Sequence, residues 1–211
     1  MMLIIINPQL REYVEEHIIP LYDSFDAGHR RDHANTVVAQ ALEFCKYYDV
    51  NPDMVYAAAA FHDTGLREGR ERHHLVSGEI IRADKALPRW FSPEQIETIA
   101  QAAEDHRASL GHEPRSIYGR IVAEADRLII PEVVIRRAIQ YSLANYPDYD
   151  EASHLKRCVD HLREKYGDGG YLRLWIPESP NAARLEALRA IIRDESALGE
   201  IFRKEYALLK R

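Results

Sequence analysis

The chain has 211 residues, enough for one large domain or two small ones. At that length about 70% of the unfolded surface can be buried without disulfides or a structural metal. Hydrophobic residues make up 46% and charged residues 29%, which excludes a disordered tail or a coiled-coil rod. The net charge of −6 argues against a nucleic-acid polymer or an anionic membrane as partner, since both attract a basic excess.

Apolar spacing predicts helices almost throughout. The opening run Met1–Ile6 is apolar but stops at Asn7-Pro8, too short for a signal peptide or a membrane span. No later apolar run is long enough to cross a bilayer, and the chain is expected to be cytoplasmic. A first helix is predicted over Pro8–Tyr22, broken near Pro20 and followed by the polar turn Asp23–Gly28. A second runs over Arg31–Tyr48, with Ala34, Val37, Val38, Ala41, Leu42 and Cys45 at three- and four-residue spacing. Asn51-Pro52-Asp53 combines a cap, a proline at the first helical position and an early carboxylate. The helix it starts passes Val55, Ala58, Ala59 and His62 and stops at Gly65.

A fourth helix is predicted over about His74–Ala86, and Ser92-Pro93-Glu94 caps a fifth carrying Ile96, Ile99, Ala100 and Ala103. A sixth holds Ile117, Ile121, Val122, Ala125 and Leu128. Further helices follow at about Glu132–Asn145, Asp150–Lys165, Pro180–Asp194 and Ala197–Leu209. Tyr166–Tyr171 reads as a loop, with a short extended piece over Tyr171–Ile176. The expected fold is all-α, a compact bundle of about nine or ten helices. Cys45 and Cys158 fall within amphipathic patterns and read as buried thiols.

Chemistry concentrates in the histidines. Seven of the ten lie between residues 29 and 112: His29, His33, His62, His73, His74, His106 and His112. A lone histidine in a helix is usually a satisfied core residue. Here, however, His33, His62 and His106 all fall on the apolar stripes of separate predicted helices. Asp63 adjoins the stripe of His62, and Asp126 sits at the edge of another. Burying imidazoles and two carboxylates together is unfavourable unless they pair or share a cation, and a metal ion satisfies the whole set. His29 and His112 read as surface or loop residues, and Tyr47, Tyr48, Trp90 and Phe91 as packing.

His33, the doublet His62-Asp63 within Ala57–Gly65, and Asp126 within Ala123–Leu128 together resemble the HD superfamily of metal-dependent phosphohydrolases. The likeness covers about residues 25–130, and residues 131–211 would either pack on that core within a single domain or form a small subdomain. The resemblance implies an all-α bundle, with His33, His62, Asp63 and Asp126 as ligands of one divalent ion. Mn, Fe, Mg, Ni, Co and Zn are not distinguished. Members with two metals add a histidine after the doublet and another on the next helix, where this chain has His74 and His106. His73 rivals His74, and Ser77 and Gly78 tip the choice slightly to His74 through close backbone approach.

The implied reaction is hydrolysis of a small phosphate ester, such as a nucleotide, by metal-activated hydroxide attacking phosphorus. Asp63, His74 and His106 are then the catalytic candidates, with either histidine protonating the leaving group if it binds no second ion. Arg67 is the candidate for phosphate contact, while Arg70 and Arg72 read as an exposed charged loop. Leu66 stands where many signalling members carry lysine, no Gly-Tyr-Pro follows His106, and no Glu-Asp pair follows the doublet. Cyclic dinucleotides and guanosine tetraphosphate are therefore disfavoured as substrates. The absent two-metal branch motif favours one ion, with two still open. The rival readings are a non-catalytic ligand-sensing domain and a di-iron oxygenase. Homo-oligomerisation stays open.

Overall fold

The computed structural model describes residues 4–26 and 28–210; Met1–Leu3 of the apolar opening, Ala27 of the first polar turn and Arg211 lie outside it. The described residues are all-α, with ten α-helices: α1 (Pro8–Tyr13), α2 (Arg31–Phe44), α3 (Pro52–Phe61), α4 (His73–Ala83), α5 (Pro93–Glu104), α6 (Ile117–Ala125), α7 (Pro131–Asn145), α8 (Glu151–Tyr166), α9 (Asn181–Arg193) and α10 (Glu195–Leu209). No helix among them is long and apolar enough to cross a membrane.

The caps act as the sequence suggests. Asn51 accepts from the Asp53 N–H, with Pro52 at the first helical position. Ser92 and Gln95 form a reciprocal capping box at the start of α5. Three expectations change. The helix predicted over Pro8–Tyr22 is α only to Tyr13, then a π turn (Val14–Ile18) and a 3-10 stretch (Ile19–Ser24). Pro20, lacking an N–H, cannot sustain the α ladder there. Helix α3 ends at Phe61, so His62 and Asp63 lie just past its last turn and Gly65 belongs to a short 3-10 helix, Thr64–Glu68. Tyr171–Ile176 contains no strand.

The chain divides into two compact units, Met1–Arg127 with Trp175–Ser179, and Leu128–Leu174 with Pro180–Arg211. In the first, α3 packs against α2, α5 and α6, and α4 against α5. Every residue of α3 from Met54 to Phe61 is buried. The run Ala57–Ala60 lets neighbouring helices approach on all sides of α3, and the core fills around it with Tyr22, Phe61, Ile81, Leu87, Ile99 and Ile121. The Trp175–Ser179 segment is held through the buried Glu124: its carboxylate accepts from the Trp175 N–H at 2.7 Å and the Ser179 hydroxyl at 2.5 Å.

In the second unit α7 packs on α8 and α10, and α9 on α8 and α10. Ile135, Ile139, Leu162, Leu188 and Phe202 are buried there. Arg136 binds Glu205 through two hydrogen bonds at 2.6 and 3.1 Å.

Because α3 has no open face, enlarging it should overpack the first unit. Ala58→Leu is expected to destabilise the protein by about 1–3 kcal/mol, read as a lowered thermal midpoint.

Candidate metal centre

Five helices deliver the site from their ends. His33 comes from the first turn of α2, His62 and Asp63 follow α3, His73 opens α4, and His106 follows α5. Asp126 caps the C-terminus of α6. Placing the groups at helix ends lets several chains converge on one point without breaking the core.

Three of the imidazoles are oriented by the same local device. The Nδ1 of His62 lies 2.7 Å from the Ala59 carbonyl, that of His73 2.7 Å from the Arg70 carbonyl, and that of His106 2.5 Å from the Ala103 carbonyl. A carbonyl only accepts, so each Nδ1 carries a proton and each Nε2 is left facing inward, open to a second proton or a metal ion. Those nitrogens converge: His62 Nε2 lies 3.3 Å from His33 Nε2, and His73 Nε2 lies 3.2 Å from His106 Nε2. Two lone pairs facing each other at that distance repel unless a proton or a metal ion lies between them.

Asp63 sits between the two pairs, buried. Its Oδ2 is 3.2 Å from His62 Nε2 and 3.5 Å from His33 Nε2. Its Oδ1 is 3.3 Å from His106 Nε2 and 3.4 Å from His73 Nε2. Asp126 Oδ1 completes the first group, 3.2 Å from His33 Nε2 and 3.8 Å from His62 Nε2. Adjacent ligands bonded to one ion at about 2.1 Å stand roughly 3.0–3.5 Å apart, so the donors fit divalent cations in type and spacing. Two sets of ligand atoms are each close enough for an ion: His33, His62 and Asp63, and Asp63, His73 and His106.

The electrostatics agree. Burial pushes the Asp63 carboxyl up, but His62 and hydrogen bonds from His106, His33 and His62 outweigh it and hold it well below the usual range. Asp126 is likewise lowered, burial being outweighed mainly by His33. Burial opposes charge on His33, yet Asp126 and Asp63 raise it to about 9. His106 is also raised against its burial, chiefly by Asp63, whereas burial and the neighbouring His106 lower His73.

One sequence preference is corrected here: His73, not His74, faces Asp63 and His106. Helix α4 begins at His73, and one residue of helix is about 100° of rotation, so the two rings cannot point the same way. The register is set by Gly65. A Cβ there would lie 2.0 Å from the His73 carbonyl oxygen and 2.7 Å from the Ser77 nitrogen. The bare glycine also donates its N–H to the Ser77 hydroxyl at 2.9 Å. Gly69, at φ +103, then turns the chain back.

His74 is buried beside the His73 ring, and its Nδ1 has no partner among the described residues. Burial first, then the charges of His106, Arg107 and His73, lower it to about 4. A neutral imidazole at pH 7 is poorly suited to the proton-donor role that the sequence suggested.

Arg67, the expected phosphate contact, is exposed with its guanidinium 3.6 Å from Glu68; its long stem carries the charge to solvent, and no contact ties it to the histidines among the described residues. His29, read as a surface residue, instead borders the centre. Its ring centroid is 5.5 Å from that of His33, and its Nδ1 lies 2.8 Å from Asp26 Oδ1 and 3.0 Å from Arg70. Arg107 ties the two halves of the rim, donating to the Glu71 carbonyl at 2.6 Å. His112 is exposed, as expected.

The end of α5 is braced by buried charges that sequence reading missed. Glu104 accepts from Arg82 at 2.5 Å and Arg115 at 2.6 Å, while Asp105 accepts from the Arg115 N–H at 2.6 Å. The acidic pair Glu104-Asp105 beside His106 was a visible signal, but its arginine partners are remote in sequence.

The family model of the HD domain matches residues 30–129, a span that contains all these candidate ligands. No curated protein and no solved structure matches the chain.

Two outcomes follow. Gly65→Ala is expected to displace the first turn of α4 and to weaken metal binding by about 10–100-fold, measured by competition with a chelator. Since metal must displace the proton that Asp126 and Asp63 hold on His33, raising it to about 9, affinity should rise with pH from 7 toward 9 and then flatten. A pH-independent affinity would contradict this protonation scheme.

Proposed function

We propose, from the premise that residues 30–129 form an HD domain, that this chain is a phosphohydrolase dependent on two divalent ions and acting on a small phosphate ester, with nucleotides the first class to test. The observation that carries the reading is Asp63, with one carboxylate oxygen toward His33 and His62 and the other toward His73 and His106. That arrangement favours two ions over the single ion that the missing branch motif suggested. Asp63 would serve both, with His33, His62 and Asp126 on one side and His73 and His106 on the other.

When bound, divalent ions supply positive charge that polarises a phosphoryl oxygen and acidifies water near neutral pH. The chain's own residues do the positioning. The carbonyls of Ala59, Arg70 and Ala103 hold three Nδ1–H groups and so keep the Nε2 lone pairs aimed inward. Asp63 fixes the spacing between the two imidazole pairs. Arg82 and Arg115 neutralise Glu104 and Asp105, which keeps the end of α5, and with it His106, in place. Around the rim, Arg70 and Arg107 offer positive charge to an anionic substrate, a role better suited to them than to Arg67.

The test is a panel of phosphate monoesters and nucleotides, each assayed with Mn²⁺, Fe²⁺, Co²⁺, Ni²⁺, Zn²⁺ and Mg²⁺. Metal-dependent release of phosphate, diphosphate or nucleoside is expected, falling at least about 100-fold in Asp63→Asn. Bound metal with no turnover on any substrate would favour a ligand-sensing domain instead. Turnover confined to ferrous protein with dioxygen would favour an oxygenase.

A further inference from the structure

Tyr22 lies in the 3-10 stretch Ile19–Ser24, ahead of the segment that matches the HD family, and is wholly buried. Its hydroxyl makes two hydrogen bonds of opposite sense. It donates to the Ala60 carbonyl at 2.9 Å and accepts from the Asp63 N–H at 3.2 Å. These two backbone groups bracket His62. They belong to the place where α3 stops, and the end of a helix leaves carbonyls that need other partners. The Ala59 carbonyl takes the His62 Nδ1–H, and the next carbonyl, Ala60, takes Tyr22.

The ring is fixed as firmly as the hydroxyl. It meets Phe25 edge-on at 5.3 Å between centroids and lies 6.3 Å from the His62 ring. Burial, reinforced by the Asp63 charge, raises its phenol well above the ordinary value, so the hydroxyl keeps its proton.

We propose that Tyr22 is a positioning residue of the metal centre, its hydroxyl setting the backbone turn that sends the His62 imidazole and the Asp63 carboxylate to the same point. The inference rests on the metal-centre reading above. It extends that centre to a residue outside the matched domain, on a segment that carries none of the candidate metal-ligating side chains. The hydroxyl acts through the doublet and touches no substrate. Removing it leaves a buried N–H and a buried carbonyl unmet, and the doublet's turn can then relax to satisfy them elsewhere.

The experiment uses the full chain and Co²⁺ alone as probe, followed by its visible absorption. Tyr22→Phe keeps the ring and removes the hydroxyl. Its Co²⁺ dissociation constant is expected to rise about 10–100-fold, with an altered absorption band at saturation and unchanged helix content. Tyr13→Phe is the control. It loses a comparable bond, the 2.5 Å contact to Asp84 outside the cluster, and should leave both affinity and spectrum as in the wild type. Wild-type affinity and spectrum in Tyr22→Phe, or equal weakening in Tyr13→Phe, would overturn the proposal. If Tyr22→Phe yields no folded protein, 3-fluorotyrosine at position 22 keeps the hydroxyl and most of the volume but rebalances its two hydrogen bonds. A shifted Co²⁺ band is then expected, and an unshifted one overturns the proposal. Wild-type protein that takes up no Co²⁺ would overturn the metal-centre reading and this inference together; wild-type uptake with an unaffected Tyr22→Phe overturns the inference alone.

Discussion

A carboxylate buried as deeply as Asp63 needs positive charge close to both oxygens, because water cannot reach it to supply the solvation it lost. The fold surrounds it with four imidazoles, two on each side, every one within 3.5 Å of a carboxylate oxygen, where protons or a cation can supply that charge. Much of the first unit can be understood as the scaffold for this arrangement. The alanines of α3 allow α2, α5 and α6 to close around it, so that helix ends, rather than helix middles, meet at the carboxylate. The absence of a side chain at Gly65 brings α4 near enough for His73 to join them.

The same groups explain why the cluster suits cations rather than a simple hydrogen-bond network. A network of neutral imidazoles would alternate donors and acceptors. Here three Nδ1–H donors are already committed to carbonyls, and what remains is a surplus of lone pairs and carboxylate oxygens directed at a small volume. Protein groups alone answer with protons, seen in the raised His33 and His106. A divalent ion would answer with more charge and without asking lone pairs to face one another. Support extends beyond the ligands. Glu124, two residues before Asp126, holds the returning segment Trp175–Ser179, so a stretch remote in sequence braces the end of α6.

Sequence reading reached far into this architecture where the signal was periodic or local. Three- and four-residue apolar spacing marks α2, α5 and α6, and the caps at Asn51 and Ser92 mark where α3 and α5 begin. His33 and His62 stand out on apolar stripes, Asp63 and Asp126 lie beside or at the edge of one, and the resemblance to the HD pattern joins the four into one set. What stayed hidden depends on tertiary placement. Whether His73 or His74 faces Asp63 turns on a single residue of helix register, fixed by contact between Gly65 and α4 rather than by either histidine's neighbours. The reach of Arg67 depends on where a short 3-10 helix points its side chains, and the brace on α5 joins residues from three elements. Tyr22 is an isolated tyrosine in an irregular stretch, with no pattern to set it apart from packing aromatics. The division into two compact units is likewise a matter of which helices meet, and Leu128 carries no linker signal in composition.

The central claim is that Asp63 lies between two cation sites, and anomalous diffraction from crystals grown with Mn²⁺ or Fe²⁺ tests it most directly. Two peaks are expected, one among His33, His62 and Asp126 and the other between His73 and His106, about 3.5–4 Å apart with one oxygen of Asp63 toward each. A single peak, or none, beside an Asp63 still held by all four imidazoles would contradict it.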